Sequence, residues 1–158
     1  MIIYAGDTDD VVNRILTNHS AGNVEGSALR KHVAQAHGFR LHRQRRPSGS
    51  TKLRIDLPDP KAGERAVTSY IRSGTWRYVL CRDYAEAHDF QYYVIDQLQP
   101  LMNIDRKPWD SEKRDRYSDL LAKLLAQAPA TYTQLRGQPT GPGVYVLEHS
   151  SPPGKVAA

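Results

Sequence analysis

The sequence predicts a mixed α/β (α+β) chain with few strands and several helices, and three observations carry that reading. Strand-like runs stand near both ends, Ile2-Ile3-Tyr4-Ala5 and Gly143-Val144-Tyr145-Val146-Leu147-Glu148, with a third over Thr75 to Arg82. Between them lie segments whose apolar residues recur at helical spacing. The 158 residues, 39% of them hydrophobic, suffice for one proper core, so a single domain over 1–158 is expected.

Taken in order, the first strand ends at Gly6, and the acids of Asp7-Thr8-Asp9-Asp10 offer caps for a helix beginning near Val11. Val11, Val12, Ile15 and Leu16 share one face of that helix, and His19-Ser20-Ala21-Gly22-Asn23 stops it. A second helix is predicted from Ser27 to Ala36, with Leu29 and Val33 inward and Gly38 as its stop. Arg40 to Arg54 reads as a basic loop with a flexible tip at Pro47-Ser48-Gly49-Ser50, leading into a short strand over 53–57. A helix over Glu64 to Ser73 is closed by Gly74, and the strand from Thr75 follows. The longest helical pattern runs over 83–98 and ends before Pro100. Another spans Ser111 to Gln127, capped by Asp110 and closed before Pro129. After Gly141-Pro142 comes the last strand, and 150–154 reads as a loop.

No apolar run approaches the ~20 residues of a membrane span, and the first residues lack the basic and apolar regions of a secretory signal. The lone cysteine, Cys81, forms no internal disulfide and reads as a small buried hydrophobe; it fits a reducing compartment, so a cytoplasmic protein is expected. With 22 Lys and Arg against 17 Asp and Glu, the net charge is +5. Its distribution says more: Arg40, Arg43, Arg45, Arg46, Lys52 and Arg54 follow one another with no acid before Asp56. Such closely spaced cations read either as a solvated basic loop or as an arm that tracks nucleic-acid phosphates and releases their counterions. His32, His37 and His42 recur at a spacing that turns them around a helix rather than onto one face, which argues against zinc. Asp7-x-Asp9-Asp10 lacks the later glycine and glutamate of a calcium loop.

One set of residues does add up. Tyr4-Ala5-Gly6 leads to Arg14, ten residues beyond the tyrosine; Gly143-Val144-Tyr145 stands on a second strand; and Gln91-x-x-Val94-Ile95-x-x-Leu98-x-Pro100-x-x-Asn103 occupies the long helix and its exit. This combination resembles the GIY-YIG nuclease superfamily, whose members cut DNA phosphodiesters with a single divalent metal. Gly143-Val144-Tyr145 resembles the first signature, Tyr4-Ala5-Gly6 the second, and Arg14 the family arginine. The helix matches the family's carboxylate helix except that Gln91 stands where the family has its metal-ligand glutamate.

The resemblance implies a small, mainly antiparallel central sheet flanked by helices, a DNA endonuclease activity of restriction or repair type, double-stranded DNA as partner, and magnesium or manganese bound weakly because of Gln91. Tyr4, Tyr145 and Arg14 would serve catalysis, with either tyrosine as the base provided that nearby cations and metal lower its pKa. His19 follows Arg14 by five residues, near the family's histidine four residues on, and reads equally as a helix cap. Arg40, Arg43, Arg45, Arg46, Lys52, Arg54 and Asn103 would contact nucleic acid. The alternative is a naturally inactive DNA-binding module of the same fold; a structural domain whose tyrosines merely fill the core is a third reading.

The order of the signatures is inverted, since the Gly-Val-Tyr strand comes last. Joining residue 158 to Met1 sets 16 residues between Tyr145 and Tyr4, so the chain reads as a circular permutant. A truncated second copy, or a strand swapped between protomers of a homo-oligomer, are the competing explanations. The two end strands are expected to pair antiparallel, with the termini close together.

Overall fold

The computed structural model describes residues 1–155, the side chains of Leu41, Arg43, Lys52 and Leu53 excepted. In chain order the elements are β1 (Ile2–Thr8), α1 (Val11–Asn13) continuing as a π-helix (Arg14–His19), α2 (Ala28–Ala36), β2 (Arg40–Arg45), β3 (Thr51–Asp56), α3 (Pro60–Arg72), β4 (Thr75–Leu80), α4 (Tyr84–Leu98), α5 (Arg114–Ala126) and β5 (Gly143–Glu148). They fall into two compact units, one formed by Met1–Leu16 and Ser73–Pro152, the other by Thr17–Arg72 with 153–155. Among the described residues no helix is long and apolar enough to cross a membrane.

In the first unit β1, β5 and β4 form an antiparallel sheet in that order. The central strand, β5, has both faces covered, which is why Gly143-Val144-Tyr145-Val146-Leu147 is a continuous buried run rather than an alternating one. The predicted pairing of the two end strands is observed, with Ala5 opposite Val146 and Gly6 opposite Tyr145. The ladder extends beyond the strands: Met1 N donates to His149 O at 2.9 Å and His149 N to Met1 O at 3.0 Å. The expectation about the distance between the termini involves residue 158, which lies outside the described residues.

The two faces of this sheet differ in chemistry. Ala5, Val144 and Val146 pack with Ala87, Phe90, Val94 and Ile95 of α4 and with Tyr117, Leu120 and Leu124 of α5, forming the apolar core. The other face is aromatic: the ring of Tyr145 lies 6.4 Å from that of Tyr4 and 5.9 Å from that of Trp76. Side chains alternate across a strand, so the valines and tyrosine of β5 serve opposite layers. α4 begins at its predicted place, with Asp83 accepting from Glu86 N at 2.8 Å, and ends in the left-handed residue Gln99 (φ 48°) just before Pro100.

In the second unit Ser27 caps α2 by accepting from Arg30 N at 3.1 Å, as the sequence predicts. α3 starts earlier than Glu64, at Pro60. A proline is tolerated in a first helical turn because its missing N–H would be unpaired there, and Asp59 accepts from Ala62 N at 3.1 Å. The strand expected over 53–57 is present as β3, while the residues before it, expected as a loop, form its hairpin partner β2, in which His42 faces Arg54 and Arg40 faces Asp56. Its tip closes through Arg46 N to Ser50 O at 2.7 Å and Gly49 N to Arg46 O at 2.9 Å, with Gly49 at φ 88°.

Candidate functional site

The two signature glycines are explained by close approach. A Cβ at Gly6 would collide with the hydroxyl and ring of Tyr145, which lies across that position on the neighbouring strand. A Cβ at Gly143 would strike Val79 O of β4 and press on Val11 of α1. These glycines let the tyrosine ring and the first helix settle directly onto the sheet.

That settling positions Arg14. Asp10 caps α1 and accepts from the Thr140 hydroxyl at 2.5 Å, while Thr140 Oγ1 accepts from Val12 N at 3.0 Å and Gly141 O from Val11 N at 3.1 Å. The helix start is thus tied to the segment entering β5, and Arg14, immediately after α1, hydrogen-bonds Tyr145. Tyr4, Tyr145 and Arg14, singled out in the sequence, come together. Tyr145 is 1% exposed and Tyr4 9%, so only Tyr4 reaches the surface at all.

The electrostatics of this group differ from the sequence expectation. Burial pushes Tyr4 up to about 12, with Arg14 pulling the other way and Asp7 adding to the rise. Burial also drives Tyr145 well above the usual tyrosine value; Tyr4 reinforces this, and Arg14 opposes it by charge and hydrogen bond without prevailing. One guanidinium does not offset the desolvation of two phenols. Both tyrosines are therefore neutral hydroxyls at physiological pH, suited to hydrogen bonding rather than to accepting a proton.

The other predicted residues have separate places. His19 lies in the second unit, fully buried, with Nδ1 2.7 Å from Ser27 Oγ, the cap of α2. Asn103, expected among the nucleic-acid contacts, uses both ends of its amide on β1: Oδ1 accepts from Ala5 N at 2.8 Å and Nδ2 donates to Ala5 O at 2.9 Å. The Leu-x-Pro-x-x-Asn end of the helix motif is thereby a structural device. Gln99 and Pro100 stop α4, and the following residues run back along the edge of β1, with Met102 N donating to Ile3 O at 2.9 Å. Asn103→Ala should lower stability by about 1–3 kcal/mol, the cost of two part-buried groups losing their partner, read as a drop in the thermal unfolding midpoint. An unchanged midpoint would show that the clip contributes nothing.

Gln91 is half-buried on α4, whose neighbouring strand presents Ala5 and Asp7, whereas Tyr4 and Tyr145 stand on the opposite face. As a ligand it offers one neutral carbonyl oxygen, and hard dications favour anionic oxygen. The nearby acids are engaged. Asp7 Oδ2 lies 2.7 Å from His88 Nδ1. Burial would raise the Glu86 carboxyl, but hydrogen bonds from Arg116 and Arg82 bring it down to about 2. Among the described residues no three His, Cys, Asp or Glu side chains gather as ligands. The donor set does not fit the divalent metal that the resemblance implies.

The basic residues are arranged along the hairpin of the second unit. Arg45 and Arg46 are exposed at its tip. Arg54 is committed instead, forming an ion pair with Glu25 and donating to Gln44 Oε1 at 2.8 Å. His42, which the basic run includes, is paired with Asp56 at 2.9 Å. Arg40, at the base, lines a groove of about 830 Å³ with His37, Phe39, Asp56 and Lys155. The side chains of Arg43 and Lys52 lie outside what is described.

Cys81 is half-buried, and burial, reinforced by Glu86, pushes its thiol up to about 12. A thiol held protonated is not a nucleophile. Sequence reasoning missed Asp7 and His88, which meet across 81 residues of chain. The acid had a sufficient explanation as a helix cap, and no local pattern joined it to the histidine. Family models, curated proteins and solved structures were each compared with the chain, and none of the three comparisons returns a match.

Proposed function

We propose that this protein is a DNA-binding nuclease domain of the GIY-YIG type, with its signature strands in permuted order and its metal-dependent activity impaired by Gln91. The observation that carries the reading is the meeting of Tyr4, Tyr145 and Arg14, two signature tyrosines and the arginine at the motif spacing, around one point of the sheet. The permuted order draws support from the Met1–His149 pairing, because the end of β5 and the start of β1 lie side by side as the two arms of a hairpin would. In this reading Arg14 supplies positive charge for a phosphate, Tyr4 offers a neutral hydroxyl at the surface, and the β2–β3 hairpin tracks the DNA backbone. Duplex DNA is the proposed substrate. Its cleavage would be weak in this chain because Gln91 brings no charge to a dication.

A second reading, the naturally inactive DNA-binding module, is favoured by the same neutral Gln91. Both readings need DNA binding through the hairpin, which is tested first. Fluorescence anisotropy with a labelled duplex over a series of salt concentrations should give a steep dependence. In the Arg43→Ala, Arg45→Ala, Arg46→Ala triple variant the slope of log K against log salt should flatten by roughly 0.9 per lost phosphate contact, with affinity falling for every sequence alike. An unchanged slope would remove the hairpin from the DNA interface. Failure of the full chain to bind duplex DNA at low salt would remove the nuclease reading itself.

A further inference from the structure

We infer that the groove at the foot of the β2–β3 hairpin receives one unpaired nucleotide of the bound DNA, an inference that rests on the DNA-binding reading above. The groove lies within the second unit, where the end of α2, the base of the hairpin and the first turns of α3 meet Lys155. At about 830 Å³ it falls in the range of roughly 300–1,000 Å³ usual for small-molecule sites. His37 is the buried polar member of its lining. The residue is 6% exposed, and its Nδ1 lies 2.7 Å from Gly154 O. A carbonyl only accepts, so the proton sits on Nδ1, and Nε2 of the neutral ring is an acceptor. The Tyr70 ring meets the imidazole edge-on at 6.1 Å and helps to fix its plane. Nε2 is buried and has no hydrogen-bond partner among the described residues. An orphaned acceptor of this kind is rare in a folded protein and calls for a donor. The amino edge of a base seated in the groove supplies one, while Phe39 and Pro58 offer apolar surface to its flat faces. Bases stack on aromatic rings whatever their identity.

The charges at the groove favour a nucleotide within a chain over a free anion. Arg40 and Lys155 bring two cations, and Asp56 and Asp59 two carboxylates. Asp56 is paired with His42 at 2.9 Å, and Asp59 accepts from Ala62 N at 3.1 Å. A multiply charged free phosphate gains little from so balanced a lining. A phosphodiester carries a single charge, and further cations continue along the hairpin: Arg40 opens β2, and Arg45 and Arg46 stand exposed at its far end. β2, six residues long, spans roughly 20 Å. A backbone tracked by the hairpin therefore passes several phosphates before it reaches the groove. A nucleotide that is already unpaired enters at the least cost, because a paired base must first leave its partner and its stack.

The test measures fluorescence anisotropy of the full chain with two labelled duplexes that differ only by one unpaired adenine, at about pH 8, above the ordinary imidazole range near ~6.5. The unpaired adenine should tighten binding by about tenfold or more, the worth of one stacked base. Ala62→Trp, which fills the groove, and Phe39→Ala, which strips its ring, should each bring the ratio of the two affinities back to about one. Circular dichroism checks that each variant is folded, and either one alone suffices. His37→Asn keeps a donor for Gly154 O and removes the Nε2 acceptor. It should bind an unpaired adenine no better than an unpaired purine without the exocyclic amino group, two bases that the full chain should separate severalfold. Separation that persists in His37→Asn overturns the part given to Nε2. Equal binding of the two duplexes by the full chain overturns the inference and leaves the DNA-binding reading standing. So does a preference that survives both groove variants, since the easier bending of an interrupted duplex would then account for it. Failure of the full chain to bind either duplex at low salt overturns the DNA-binding reading, and this inference with it.

Discussion

Replacing Gln91 by glutamate should produce magnesium- or manganese-dependent cleavage of duplex DNA, faster than that of the unaltered chain by about 10²–10³-fold. The size follows from the chemistry: a bound dication stabilises the charge developing on phosphoryl oxygens by several kcal/mol, and each 1.36 kcal/mol is about tenfold in rate. Glutamine has nearly the shape of glutamate, so the half-buried site on α4 accepts the change without repacking. In the variant, Tyr4→Phe, Tyr145→Phe and Arg14→Ala should each abolish the new activity, and a chelator should do so reversibly. A plasmid-nicking assay at a fixed metal concentration, beside calorimetric metal binding, reads all of this. A glutamate variant that binds metal and DNA yet cuts nothing would make the inactive binding module the better account. DNA affinity should fall slightly in the variant, since a negative charge is added near a polyanion.

Arg30→Met should unfold the second unit, or leave it less stable by about 3–5 kcal/mol, the usual cost of breaking a buried ion pair by removing one partner. The Arg30 side chain is fully buried. Its guanidinium donates to His19 O at 2.9 Å, to Glu64 Oε2 at 2.7 Å and to the Thr68 hydroxyl at 2.8 Å. Glu64 in turn accepts from Val24 N at 2.9 Å. One side chain thereby closes the gap between the end of the π-helix, the N-terminal part of α2 and the middle of α3. Arg30→Lys should rescue little, because an ammonium cannot reproduce the fork that reaches His19 O, both Glu64 O and Oε2, and the Thr68 hydroxyl at once. Urea unfolding followed by circular dichroism gives the measurement, and a loss below about 1 kcal/mol would show that the hub is dispensable.

What the sequence disclosed follows the physics of each segment. Helices with strong caps and stops, such as α2 after Ser27 and α4 between Asp83 and Gln99, are predicted nearly to the residue, because capping is local chemistry. The pairing of β1 with β5 was legible from the two tyrosine-bearing strands. Of the basic hairpin only β3 was legible, from the apolar–polar alternation that begins at Leu53; β2 was not, since Arg40 to Arg45 holds a single apolar residue and its register is set by pairing alone. For the site, the tyrosines and Arg14 were legible by spacing, whereas the protonation of the tyrosines was not. Burial is a tertiary quantity, and the same residues on an exposed strand would titrate differently. Asn103 was visible as a motif residue, but its partner, the backbone of Ala5, carries no sequence signature.

The outer margins of the three-stranded sheet have a consequence for association between molecules. Along β1 the carbonyls of Ile2 and Ile3 and both peptide groups of Ala5 are taken up by residues 101–103. Along β4, Trp76 exchanges two backbone bonds with Ala130, and Tyr78 N is met by Gln127 Oε1. A strand edge that lacks free N–H and C=O groups cannot template another chain. At these positions a folded molecule offers no backbone group to a neighbouring strand, and loss of the short run after Pro100 would bare the first half of the β1 edge to a strand from another molecule.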